Sequence, residues 1–324
     1  MKTQQFHNKF TILAQNRRKK LHYEAKKLRQ WKLIGVGSGW GARDMGTAEG
    51  PKVLMEHIPA LFQNCQKILT YWHKTTLNFA NNIPLAPIEA RIHADHVFDA
   101  TTQLCDQTKT AFLQGKTPLV LGGDHSVAIG TWSGIKAAVG SENIGLIWID
   151  AHLDAHTPET SPSRNIHGMP VAVLLGHGDE RFIKLGGSAP KFKPEHVCLI
   201  GIRSFEEGEE KLLHELGVKI YYMKEVHERG FESVFREAQQ KLSNLKFGIS
   251  IDIDAFDPQE APGTGTREKE GIKLADVKSS LQNLSQDPNF LALEITEFNP
   301  HKDVDNKTLH LIWNLARLIS GDLT

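Results

Sequence analysis

The sequence predicts a three-layer α/β/α domain built around a mostly parallel central sheet. Two observations carry that prediction. Short apolar, β-prone runs recur along the chain without in–out alternation, the pattern of strands buried on both faces. Helix-length stretches lie between several of them, as crossover connections between parallel strands require. The strand-like runs are residues 33–36, 118–121, 144–149, 197–202, 219–222, 247–253 and 290–295. The helix-like stretches are 127–138, 206–216, 231–242, 274–284 and 309–320. No repeat, low-complexity tract or linker divides residues 31–324, so they read as one domain.

Residues 1–30 read as a basic N-terminal extension. Arg17, Arg18, Lys19, Lys20, Lys26, Lys27 and Arg29 stand against the single acid Glu24. Leu13, Leu21 and Leu28 give it only a thin apolar face, so a solvated helix or arm is expected rather than a membrane or nucleic-acid binder. A formal net charge of zero gives no sign of a nucleic-acid partner elsewhere. No apolar run approaches the roughly 18 residues that cross a bilayer. The three scattered cysteines, Cys65, Cys105 and Cys198, make no disulfide framework, and a cytoplasmic location is expected.

In open parallel sheets, ligands bind outside the carboxyl ends of the strands. Three predicted strands end in metal-type ligands. The segments are Gly122-Gly123-Asp124-His125-Ser126, Asp150-Ala151-His152-Leu153-Asp154-Ala155-His156 and Ser250-Ile251-Asp252-Ile253-Asp254-Ala255-Phe256-Asp257-Pro258. Residues two apart in an extended segment share a side. Asp150, His152 and Asp154 are therefore expected to converge, as are Asp252 and Asp254, with His125 joining them. Each cluster alone has a plainer reading, as an exposed edge strand or a capped turn. Three together, each after a strongly apolar strand, point to a metal site.

Two carboxylates about 4 Å apart repel by about 4 kcal/mol at an effective dielectric near 20. Four such charges call for two divalent cations. Oxygen-rich ligation with one imidazole per ion suits Mn²⁺, with Co²⁺ and Ni²⁺ as possible substitutes and Fe²⁺ and Zn²⁺ also open. No thiolate stands in any of the three segments, which argues against structural zinc. The glycines at 35, 37, 39 and 41 do not match a dinucleotide fingerprint and read as a plain loop after the first strand. Ser126 has no Gly-x-Ser-x-Gly elbow around it and reads as a helix N-cap rather than a nucleophile.

These three segments resemble the signatures of the arginase/agmatinase/formiminoglutamase family, and the resemblance runs from about residue 33 to the C-terminus. It implies that residues 31–324 are a single ureohydrolase catalytic domain. It places one metal on His125, Asp150, Asp154 and Asp252. It places the second on His152, Asp150, Asp252 and Asp254, with Asp150 and Asp252 bridging. The implied activity is that of a hydrolase acting on C–N bonds of linear amidines, splitting L-arginine into L-ornithine and urea. Trimers or hexamers are the implied assembly.

The segment 157–170 is similar to the family's arginine-binding loop and contains Ser161, Ser163 and Asn165. The resemblance gives Ser163 and Asn165 to the α-carboxylate and His167 to proton transfer near the leaving amine. It gives Glu206 and Glu209 to the α-amino end, Glu297 to the guanidinium and Thr266 to the site lining. Asp154 would orient an ionised water shared by the two cations. Two positions depart from the family's arginases, which carry Asn at His156 and Gly at Arg164. A histidine can still donate a hydrogen bond to the α-carboxylate, and Arg164 adds positive charge. Other guanidino substrates, agmatine or guanidinobutyrate, therefore stay open. So do a single-zinc deacetylase on the same type of fold and a non-catalytic binding protein.

Overall fold

The computed structural model describes residues 29–59, 62, 66–72, 87–187, 189–282 and 284–321. The predicted basic extension lies almost wholly outside them, as does Cys65. Among the described residues there are eight strands: β1 (Trp31–Gly37), β2 (Gln66–Trp72), β3 (Thr117–Gly122), β4 (Ile144–Ile149), β5 (Val197–Ile202), β6 (Lys219–Tyr222), β7 (Lys246–Asp252) and β8 (Phe290–Thr296). They form one sheet in the order β2-β1-β3-β8-β7-β4-β5-β6, and every neighbouring pair is parallel. The helices in chain order are α1 (Gly50–Glu56), α2 (Pro87–Leu113), α3 (Ala128–Val139), α4 (Pro170–Leu174), α5 (Glu180–Ile183), α6 (Glu207–Leu216), α7 (Met223–Arg229), α8 (Phe231–Lys241), α9 (Leu274–Leu281) and α10 (Lys307–Ser320).

Helices cover both faces, and the inner strands other than β7 feed two cores each. On β4, Ile147 and Ile149 join a cluster with Phe231 and Phe235 of α8 and Leu311 and Ile312 of α10. Leu146 and Trp148 join the opposite cluster, with Trp132 and Ile135 of α3. This two-sided burial is why the strands read as continuous apolar runs. The expected three-layer architecture is present. Among the described residues, no helix is long and apolar enough to cross a membrane.

The apolar pattern does not predict β2 or α2. The strand β2 pairs with β1 alone, at the edge of the sheet. The buried stripe of α2 consists of His93, Val97, Ala100, Thr101, Leu104, Cys105, Thr108 and Ala111, at helical spacing but mostly small or hydroxylated. Those small residues serve a close approach. A methyl group at Gly134 of α3 would lie 2.3 Å from the Cys105 carbonyl oxygen. The two backbones nearly touch there, and side-chain hydrophobicity is a poor signal of such packing.

The core behind the site is equally tight. A Cβ on Gly248 of β7 would lie 2.2 Å from two ring carbons of Trp132. Trp132 is fully buried, so its ring cannot retreat into solvent. Gly248→Val should therefore destabilise the chain by about 1–3 kcal/mol, typical of overpacking. A lower urea midpoint at unchanged slope would register it.

Candidate metal centre

The three predicted clusters lie at the carboxyl ends of β3, β4 and β7, and they use one local device. Asp124 Oδ1 accepts the Ser126 N–H at 2.9 Å, Asp150 Oδ1 the His152 N–H at 2.7 Å, and Asp252 Oδ1 the Asp254 N–H at 2.8 Å. Each aspartate ends its strand by capping the amide two residues on, an Asx turn. This corrects two expectations. The strands stop at Ile149 and Asp252, so turns rather than strand alternation bring the ligand candidates together. After β3 the cap is Asp124 rather than Ser126, which sits inside the turn and donates its hydroxyl to Asp124. The glycine loop after β1 packs against this turn, with Gly41 N–H donating to Asp124 Oδ2 at 2.9 Å.

The six ligand candidates lie close together. His125 Nδ1 lies 3.1 Å from one oxygen each of Asp150, Asp154 and Asp252. His152 Nδ1 lies 3.1 Å from Asp254 Oδ2 and 3.5 Å from Asp150 Oδ1. Two groups result, His125–Asp150–Asp252 and Asp150–His152–Asp254, and they share Asp150. Asp154 joins the first through His125.

The donor set fits divalent cations. His125 Nδ1 is buried and makes no hydrogen bond, although three carboxylates surround it. Its 3.1 Å contacts are of the size expected between ligand atoms that share an ion at about 2.1 Å. Burial pushes Asp252 well above the usual carboxylate range, and Asp254 and Asp150 push it further. Burial and Asp150 raise Asp154 to about 6. Burial opposes the charge on His125, yet Asp150, Asp154 and Asp252 drive its pKa well up. The imidazoles thus act as counter-charges that cations would replace, releasing protons.

A cleft of about 200 Å³ opens above this floor. Asp154, His167 and Glu297 line it, as do His156, Ser161, Ser163, Asn165, Glu206, Glu209 and Thr266. His125 and Asp150 lie beneath and are fully buried. Glu297 Oε1 accepts the His125 backbone N–H at 2.8 Å and stands 3.2 Å from His167 Nδ1. Burial would lower the His167 pKa, but the Glu297 carboxylate raises it to about 9. Both Asp154 and Glu297 hold left-handed backbone angles, φ 48 and 66, a strained conformation that concentrates at functional sites.

The far end of the cleft differs from its floor. His156 Nε2 lies 3.0 Å from Glu206 Oε2 and 3.7 Å from Glu209 Oε1. Burial raises Glu209 to about 8 even though the Glu206 and Ala155 amides donate to it. Ser161 and Ser163 hydroxyls accept the Arg164 and Asn165 amides and so shape the loop. Asn165 Oδ1 is buried without a hydrogen-bond partner. Arg164, at φ 62, lines a neighbouring cavity and not this cleft, so the expected charge beside the substrate loop is not delivered there.

Several supporting residues escape the sequence reading. The Trp148 ring stacks on His125 at 4.0 Å, and its Nε1 donates to Asp150 Oδ2 at 2.9 Å. Ser250 and Glu294 lie behind His125. Glu268 lies 3.8 Å from His152 Nε2. Arg203 donates to the carbonyls of Asp254 and Glu268 and pins their loops together. One signal was available, since Glu294 is an acid in the middle of an otherwise apolar strand.

A model of the arginase family matches residues 29–320. The arginase of Bacillus caldovelox is 44% identical over 306 residues, covering 90% of this chain and 97% of its own. The crystal structure of Bacillus subtilis arginase superposes with a TM-score of 0.78 at 35% identity, covering 90% of this chain and 99% of that one. Entamoeba histolytica arginase, solved in complex with L-ornithine, gives 0.80 at 25% identity, covering 91% and 99%. The match spans all eight strands and the three turns that carry the ligand candidates, and the chain belongs to the arginase family.

Proposed function

We propose that this chain hydrolyses the guanidino group of L-arginine to L-ornithine and urea with two Mn²⁺ ions. One observation carries the reading: two His/Asp groups share Asp150 at the floor of a cleft walled by Glu297. Asp150, Asp252, Asp154 and His125 would hold one ion, and Asp150, Asp252, Asp254 and His152 the other. When bound, the ions supply Lewis acidity and make water easier to ionise. Oxygen-rich sites with a single imidazole favour Mn²⁺, and Co²⁺ or Ni²⁺ would fit the same donors.

The chain's own residues supply the rest. Glu297 holds the planar guanidinium through charge-assisted hydrogen bonds, in an orientation set by the His125 amide. Asp154 aligns the attacking water above the floor. Water oxygen adds to the guanidinium carbon while Asp154 takes up one water proton, and the bond to the alkyl nitrogen breaks; both water protons end on the amine, one through Asp154 and one replacing the proton that His167 gives. His167, kept protonated beside Glu297, delivers the proton to the leaving amine. Ser161, Ser163 and Asn165 position the substrate's distal end, and Thr266 lines the cleft.

A second reading has one observation in its favour. His156 already engages both Glu206 and Glu209, the acids that would meet an α-amino group. That arrangement suits a guanidino acid lacking this group, such as guanidinobutyrate. Agmatine keeps an amine and loses the carboxylate, so the cleft offers it less. Two ligand groups rather than one argue against a single-zinc deacetylase.

Urea release measured on L-arginine, agmatine and guanidinobutyrate, with Mn²⁺, Co²⁺ and Ni²⁺ supplied separately, should be fastest for L-arginine with Mn²⁺. Faster turnover of guanidinobutyrate would move the assignment to the second reading. Glu297→Gln should lower kcat/KM by about 10²-fold or more, the scale for losing one preorganised charge-assisted contact. Its metal content should stay at the wild-type value. Chelation should also lower the melting temperature. Saturation at about 100-fold over Kd contributes about 2.7 kcal/mol, worth about 5 °C in a chain of this size. A Tm indifferent to EDTA and Mn²⁺ would remove the metal centre from the account.

A further inference from the structure

Glu294 lies in the middle of β8, between β3 and β7, and is completely buried. Its neighbours Leu291, Ala292, Leu293 and Ile295 are all core residues. An acid in such a strand is costly unless its oxygens are satisfied and its charge has a use. Both oxygens are satisfied. Oε2 accepts the Ser250 hydroxyl at 2.8 Å, and Oε1 accepts the Thr131 hydroxyl. Ser250 Oγ also lies 3.0 Å from His125 Nε2.

A serine hydroxyl has one proton to give. Ser250 gives it to Glu294, so toward His125 its oxygen can only accept. His125 must then keep a proton on Nε2, so the proton a cation displaces is the one on Nδ1, the nitrogen facing Asp150, Asp154 and Asp252. The reverse chain, with Ser250 donating to Nε2, would put the proton on Nδ1, where a cation must bind. Trp148 fixes the plane of the ring and Ser250 fixes its tautomer.

We propose that Glu294 is a positioning residue for the metal centre, acting through Ser250 to hold His125 in the tautomer that binds a cation. The inference rests on the metal-centre reading above. Ligand histidines commonly donate their second ring N–H to such a partner, and losing that partner typically weakens metal binding about 10–100-fold. Neither Glu294 nor Ser250 lines the cleft, and both meet the centre from behind, through the His125 ring. The effect of changing them is therefore expected on metal affinity first.

The test is a Mn²⁺ titration by calorimetry on the full chain, with folding checked by circular dichroism. Glu294→Gln is nearly isosteric, but its amide can donate to Ser250 and permit the reversed chain. It should bind Mn²⁺ about 10–100-fold more weakly than wild type. Ser250→Ala, which breaks the relay while Glu294 keeps its Thr131 bond, should show a similar loss and covers the case of a misfolded Glu294→Gln. Thr131→Val removes the other bond to Glu294 and should lower stability while leaving Mn²⁺ affinity within about twofold. Wild-type affinity in a folded Glu294→Gln or Ser250→Ala overturns the relay alone. Equal weakening by Thr131→Val also overturns it, since the network would then be merely structural. A wild-type chain that binds no divalent cation overturns the metal-centre reading with it.

Discussion

Crowded negative charge at the ends of β3, β4 and β7 is the constraint on which the site depends. Asp150, Asp154, Asp252 and Asp254 are all buried, and each lies near another carboxylate. The fold holds Asp150, Asp252 and Asp254 by tying their oxygens to backbone amides, and it sets two imidazoles among all four. That arrangement is stable only with positive charge in the middle, supplied by imidazolium or by metal. Metal loading and proton release are therefore one process at this site. The strained backbone of Asp154 is fixed by the Val171 amide, 2.8 Å from its carbonyl. That of Glu297 is fixed by its own amide, which reaches the Gly123 carbonyl at 2.7 Å.

The sheet makes this concentration of charge possible. Parallel strands end side by side, so three Asx turns of the same form converge without long loops. Behind them the packing leaves no slack, with Trp132 against Gly248 and Trp148 against His125. Residues on the same face of the sheet thus serve as core and as support for the ligands. Rigid strand ends hold geometry better than loops, which suits a site where two groups must share one aspartate.

Much of this is legible in the sequence. Seven of the eight strands announce themselves as apolar runs because both faces are buried, and the six ligand candidates lie at or just past the ends of three of them. What stays hidden has physical causes. The stripe of α2 is mostly Ala, Thr and Cys, suited to close approach to Gly130 and Gly134, so it carries little hydrophobic signal. The spacing predicts that the ligands converge but not why, since an Asp that ends a strand by capping looks the same in sequence as one that continues it. Glu294 and Ser250 matter only through spatial partners on other strands, and no spacing along the chain reveals a contact between β7 and β8.

The cleft divides its work between parts that are held in different ways. Its floor consists of strand ends locked into the sheet. Its far wall consists of the loop after Asp154 and the start of α6, held mainly by hydrogen bonds within the loop and by the Glu206–Glu209 cap. His156 stands at the join, two residues beyond Asp154 and in contact with both acids of the cap. In the proposed reading, chemistry and substrate choice are therefore carried by separable elements. Replacing the imidazole at this one position would free Glu206 and Glu209 of their contact with it, while the Asx turns and the metal-type ligands beneath keep their own supports.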